Sequence, residues 1–133
     1  MKNQKILRII DANLNRSKEG LRVVEDFMRF VVSEEKISSE IKKMRHNIDK
    51  IARTIYPRLV SSRDSKSDVF RKTKEPRKKN GFAVIISNIK RVEESLRVLE
   101  EFSKIISSAA GSKFKKIRFR IYDMERDILN KIK

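Results

Sequence analysis

The sequence predicts an all-α domain: one helical hairpin used twice, closing into a four-helix bundle with a pseudo-two-fold axis. Two observations predict it, and the composition agrees. The stretch from Asn13 to Phe27 is answered by Asn88 to Phe102, 75 positions later, with nearly every residue identical or similar. A fixed offset of this kind marks a repeated structural unit. Apolar residues also recur at helical spacing. Met44, Ile48, Ile51 and Ile55 in one copy are matched by Ile117, Ile121, Met124 and Ile128 in the other, 73 positions on. That is the stripe of a helix burying one face. With Gly 3 and Pro 2 in 133 residues, the chain lacks the breakers that an all-β fold needs.

The elements follow in order. The first helix is expected from about residue 4 to 33 and the second from about 38 to 56, with Ser33 or Ser38 as its cap and Pro57 ending it. The third is expected from about 81 to 108 and the fourth from about 112 to 132, with Gly111 at the turn between them. The change of offset from 75 to 73 puts a two-residue gap in the hairpin turn. One hairpin cannot enclose a core, whereas two can. Residues 1–133 therefore read as one domain, with repeats at about 4–57 and 81–132. The connection at about 58–80 is rich in Ser, Lys and Arg, and a loop of that length is usually functional or disordered.

Composition narrows the function. The absence of Cys excludes disulfides and thiolate metal sites, and a single His makes a conventional zinc site improbable. The longest apolar run, Phe82 to Ile86, is far short of a membrane span, and the N-terminus has no apolar signal region. A cytoplasmic protein is expected. The net charge of +16 leaves three readings: a solvated Lys-rich surface, a nucleic-acid partner or a phosphorylated small molecule. Its densest stretches are Arg71 to Lys79 and Lys113 to Arg120.

At about 100° per residue, Asn13, Arg16 and Gly20 share a face with Ile9, Val23, Val24, Phe27 and Val31. Asn88, Arg91 and Ser95 do the same with Val84, Val98, Leu99, Phe102 and Ile106. Taken as the core face, this places two Arg on the buried side, where each needs an anionic partner or a cavity. Two readings stand: Arg–Glu pairs with Glu19 and Glu94, or a polar pocket in which the two Arg face an anionic ligand. Arg22, Glu25 and Asp26, with Arg97, Glu100 and Glu101, point the other way and read as solvated surface or a subunit interface.

Arg45-His46 and Arg118 flank the stripes of helices 2 and 4, placed to reach a ligand at the bundle's end or to snorkel to water. His46 has no companions for a catalytic triad. Arg63, Asp64 and Asp68, among hydroxyl side chains, suit either a phosphate or Mg²⁺ site or a plain polar turn. No Walker-type or dinucleotide Gly-rich loop is present. Apolar residues on a second side of helix 1 (Ile10, Leu14, Leu21, Met28 and Val32) predict a homodimer or larger.

Several stretches resemble the alternative hydroxymethylpyrimidine phosphate kinase family of thiamin biosynthesis, a domain that also occurs in front of thiamin-phosphate synthase. They are Arg8 to Arg16, Glu19 to Asp26, Met44-Arg45-His46, Ser62-Arg63-Asp64, Ser67-Asp68-Val69, Glu75 with Arg77, Asn88 to Glu101, and Ile117 to Tyr122 with Glu125. The likeness covers nearly the whole chain in order. It departs at Phe70, where the family pattern has Gly. The resemblance implies an all-helical fold and ATP- and Mg²⁺-dependent phosphorylation of hydroxymethylpyrimidine phosphate to the diphosphate. Under it, Arg16, Arg91, Arg45, Arg63 and Arg118, with His46, are the candidates for substrate and phosphate binding. Asn13 and Asn88 are candidates for reading the pyrimidine, Glu19 and Glu94 for accepting the hydroxyl proton, and Asp64 and Asp68 for Mg²⁺. The competing classes are a basic helical nucleic-acid-binding protein and a non-catalytic interaction module.

Overall fold

The computed structural model describes residues 2–133. Five α-helices occupy most of that span: α1 (Lys2–Phe30), α2 (Glu35–Ala52), α3 (Tyr56–Ser61), α4 (Gly81–Ile106) and α5 (Ser108–Ile132). Short 3-10 turns cover Arg53–Ile55 and Ser65–Ser67. Among the described residues there is no strand. Among the described residues no helix is long and apolar enough to cross a membrane. The duplicated bundle is therefore present, with α1–α2 and α4–α5 as its two hairpins.

The layers follow from the contacts. The side chain of Phe27 lies beside Gly81, and Gly20 lies beside Asn88 and Val92, so α1 and α4 run antiparallel. A Cβ at Gly20 would sit 2.7 Å from Val92 Cγ2 and 3.2 Å from the Asn88 carbonyl oxygen, so the helices meet there at a distance only Gly permits. Each of these helices packs its own hairpin partner, α2 or α5, which form the second layer. At one end of that layer Lys131 of α5 reaches Glu34, just before α2.

Between the layers lies the core: Leu7, Ile10, Leu14, Leu21, Val24 and Met28 from α1, meeting Ile41, Met44 and Ile48. Ile85, Ile89, Val92, Leu96 and Leu99 of α4 meet Phe114, Ile117, Ile121 and Met124. The core face is thus rotated from the one the sequence suggests. Ile9 and Phe27 are only half-buried, while Val23 and Val31 are exposed. Ile10, Leu14, Leu21 and Met28, taken as surplus apolar surface for a second subunit, are instead the buried stripe of a single chain. An Asn and a Gly on a neighbouring stripe drew the reading to the α1–α4 contact edge rather than the core centre.

Several boundaries move. Helix α2 starts after Glu34, which caps without its side chain, and the Ser38 hydroxyl donates to the Glu34 carbonyl instead of capping. Ser33 has φ 61, the left-handed residue that closes α1. Pro57 does not end α2. It sits in the first turn of α3, where its missing N–H costs nothing. Gly111 is not at the turn, which is Ser107 alone. Gly111 lies inside α5, and a Cβ there would be 3.0 Å from the Glu100 carbonyl oxygen.

Candidate functional site

The structure sorts the predicted residues into three places: the outer face of the α1–α4 layer, the hairpin interfaces, and the segment after α3.

On the outer α1–α4 face the two copies present the same arrangement. The amide nitrogen of Asn13 donates to the Ile9 carbonyl at 2.9 Å, and that of Asn88 to the Val84 carbonyl at 2.8 Å. Each amide is locked on the preceding turn with its Oδ1 turned away from that bond. Asn13 is buried and Asn88 half-buried. Arg16 Nη1 lies 3.4 Å from Asn13 Oδ1, a weak contact. Arg16, Arg91, Glu19 and Glu94 are all exposed, which corrects their expected placement on the buried side. Neither Arg16–Glu19 nor Arg91–Glu94 is an ion pair. The antiparallel crossing instead sets Arg16 level with Glu94 and Arg91 level with Glu19. Gly20 and Ser95 are both buried, Gly20 against Asn88 and Val92.

The internal Arg–Glu pairs exist at other residues. Arg45 Nε meets Glu25 Oε1 at 2.7 Å, and Arg118 Nη2 meets Glu100 Oε1 at 2.9 Å. Each bridges the two helices of a hairpin. The pairs are repeat equivalents, 75 positions apart for Glu and 73 for Arg. Glu25 and Glu100 are therefore buried and not solvated surface, and Arg45 and Arg118 are engaged within the fold rather than facing a ligand. Burial pushes the Glu100 carboxyl up, but the Arg118 hydrogen bond and charge, with Lys104 and Arg97, hold it below the usual range. The signal for these pairs was in the sequence: Glu and Arg are both kept across the duplication. His46 is exposed on α2.

After α3 the chain turns back toward α1. The Arg63 guanidinium forms a two-bond fork with Asp11, Nε to Oδ2 at 2.7 Å and Nη2 to Oδ1 at 3.0 Å. The Asp11 hydrogen bond raises the Arg63 pKa further. Asp11 lines a cleft of about 320 Å³ with Lys18, Asp49, Arg53 and Tyr56, and Lys18 and Asp49 pair at 2.7 Å. Sequence reasoning passed over these residues. The usable signal was Asp11 itself, a carboxylate set among Leu7, Ile10 and Leu14 in a core-edge stripe. Asp64 and Asp68 are exposed, and Asp68 Oδ1 already accepts the Phe70 N–H at 2.9 Å in a local turn. Among the described residues no three His, Cys, Asp or Glu side chains group to hold a metal ion. The pair suits only a cation that brings most of its ligands with it, as Mg²⁺ does with phosphates.

The ThiD2 family model matches residues 8–127. The chain belongs to the ThiD2 family. Similar curated proteins include the thiamine-phosphate synthase of Synechocystis sp., 38% identical over 127 residues, covering 93% of this chain and 36% of that protein. The thiamine-phosphate synthase of Prochlorococcus marinus (strain AS9601) is 36% identical over 126 residues, covering 95% of this chain and 36% of the relative. That of Nostoc punctiforme is 33% identical over 129 residues, with the same coverage. The chain thus spans about a third of the length of these relatives. No solved structure matches the chain. For this ThiD2 member the match takes in both Asn–Arg copies, the two buried ion pairs and the Arg63–Asp11 fork.

Proposed function

We propose that this ThiD2 chain is a phosphotransferase of thiamin biosynthesis, converting hydroxymethylpyrimidine phosphate to its diphosphate with ATP and Mg²⁺. The observation that carries the reading is the family match over residues 8–127, seen beside relatives named thiamine-phosphate synthase. That named activity lies in the same pathway and consumes the diphosphate this reaction would make.

The α1–α4 face supports the reading with suitable chemistry. Phosphoryl transfer needs positioned cations more than a strong nucleophile. Arg16 and Arg91, exposed beside the locked amides, hold the substrate phosphate with forked guanidinium contacts. Asn88, half-buried, offers its acceptor oxygen and remaining N–H to the ring nitrogen and amino group of a pyrimidine, and the buried Asn13 aligns Arg16 through its Oδ1. The nucleophile is an oxygen of the substrate's own phosphate, which bonds to the γ-phosphorus of ATP as the bond to ADP breaks; Glu19 and Glu94, one helical turn on from each Arg, take up the proton that this phosphate carries. Arg63, Asp64 and Asp68 stand apart from this face, on the segment after α3, and in this reading they serve the bound nucleotide, Asp64 and Asp68 as the Mg²⁺ carboxylates. ATP with its Mg²⁺ supplies the transferred phosphoryl group and neutralises its charge.

The test is direct. The protein is incubated with ATP, Mg²⁺ and hydroxymethylpyrimidine phosphate, and diphosphate is read by coupling to thiamin-phosphate synthase. Turnover is expected, with Arg16→Ala and Arg91→Ala each losing about 100-fold or more while keeping their helicity. Full turnover by either variant removes the α1–α4 face from the reaction. Inactivity of the folded wild type beside a working kinase sinks the reaction itself.

A further inference from the structure

The second layer carries a site of its own. Helices α2 and α5 run antiparallel, and toward the C-terminal end of α2 they leave a groove of about 390 Å³. Its walls are Asn47 and Lys50 from α2 and Lys113, Lys116 and Arg120 from α5, over a floor of Ile51 and Ile117. Four of these seven residues are cations and none is an acid.

The duplication supplies an internal control. Shifted by 73 positions, Lys113 corresponds to Glu40 and Lys50 to Asp123, while Lys116 corresponds to Lys43. The repeat-equivalent end of the same groove therefore carries two carboxylates where this end carries two lysines. The backbone repeats and the charge does not, so the basic end is neither a by-product of duplication nor an even share of the +16 net charge. Crowded like charges repel, and a bound anion offsets that repulsion. The volume suits a small molecule rather than a polymer track. A floor of two isoleucines between cationic walls suits a ligand with a flat, weakly polar part and a chain of negative charges.

We propose that the α2–α5 groove binds a nucleoside triphosphate, its phosphate chain held by Lys50, Lys113, Lys116 and Arg120 and its base resting on Ile51 and Ile117. The site is separate from the proposed reaction face. The groove lies between α2 and α5, and none of its lining residues belongs to the α1–α4 face. A nucleotide held in the groove is therefore a second bound molecule and not the phosphoryl donor.

The experiment follows isoleucine methyl signals of the whole chain by NMR during titration with ATP. The Ile51 and Ile117 methyls are expected to move with ATP and not with adenosine. In the double variant Lys50→Asp/Lys113→Glu, which imports the residues the fold already carries at the equivalent positions, the apparent affinity is expected to fall about tenfold or more. A matched control, Lys72→Glu/Lys78→Glu in the exposed connection, is expected to stay within about twofold of wild type. Equal weakening in both variants would overturn the site in favour of diffuse charge. Single-stranded oligonucleotides that bind more tightly than ATP, with affinity rising with length, would overturn it in favour of nucleic acid. The KM for ATP in the coupled assay is expected to be unchanged in the groove variant. A rise in step with lost binding would overturn the separation of the two sites. Methyl shifts with no turnover at all would sink the phosphotransferase reading and leave the groove standing.

Discussion

The two hairpins share a backbone plan and differ in how they use charge. Both lock an Asn onto the turn before it, and both staple their helices with a buried Glu–Arg pair. They part company one helix face away. Lys18 of α1 pairs with Asp49 of α2, whereas its equivalent in α4 is Glu93, which meets Glu125 of α5. Only the first hairpin runs on into α3 and the Arg63 fork, and only one end of the α2–α5 groove is basic. What the duplication kept is what closes the hairpins and shapes the α1–α4 face. What it let diverge is where one half has taken on a task, or a strain, of its own.

Breaking the shared staple should have the largest effect. Removing one partner of a buried pair leaves an uncompensated charge. Arg118 is the more enclosed, its side chain 10% exposed against 16% for Arg45, and it lies between Glu100 and the rings of Phe119 and Tyr122. Glu100→Ala should cost about 3–4 kcal/mol and Glu25→Ala about 2–3 kcal/mol, read by urea unfolding. Replacing Glu100 and Arg118 together by Leu and Met should recover most of the loss. A single Glu100→Ala loss below about 1 kcal/mol would show that the pair is not a staple.

The hairpins, the repeat and the four long helices were legible because they depend on periodicity, which is local, whereas the short α3 lay in what read as the end of helix 2 and a loop. The rotation of each helix was not. The faces of Asn13 and of Leu14 differ by one 100° step, and both carry apolar residues. Which one becomes core is settled by where α2 sits, a tertiary fact. The same step moved Arg16 and Arg91 from inside to outside and Glu25 and Glu100 from outside to inside. The Asp11–Arg63 fork joins positions 52 apart and has no repeat equivalent to announce it.

The divergent carboxylates make a smaller effect with a definite sign. Burial first, then the hydrogen bond and charge of Glu125, push Glu93 up to about 8 from its ordinary value of 4.5. The enclosed Oε2 of Glu93 finds a partner only when one of the two carboxyls holds a proton. Between those values the folded chain binds a proton that the unfolded chain does not. This group's contribution to stability is therefore complete below about pH 4.5 and is lost as pH rises to about 8. Solvent reaches the pair, so the loss should be about 1–2 kcal/mol. Glu93→Lys gives α4 the residue that α1 has at the equivalent position and sets opposite charges across the interface. Its stability should be flat where the wild type declines, in urea titrations at pH 5, 6.5 and 8. A wild type as stable at pH 8 as at pH 5 would rule the shared proton out.

The smallest contrast lies in the two hairpin turns. The first closes with Ser33 at φ 61, the left-handed conformation that favours Gly, and the Glu34 N–H beyond it donates to the Met28 carbonyl six positions back at 2.8 Å. The second is Ser107 alone, extended at φ −156, its hydroxyl accepting the Ala110 N–H at 3.2 Å. The same substitution should therefore act with opposite sign. Ser33→Gly relieves the left-handed cost and should stabilise by about 0.5–1 kcal/mol, raising Tm by about 2–4 °C. Ser107→Gly relieves nothing, removes a cap and should cost a few tenths of a kcal/mol. If both variants lowered Tm, the first turn would not be held in the left-handed conformation in solution. The shorter second turn would then owe its two missing residues to something other than the absence of that closure.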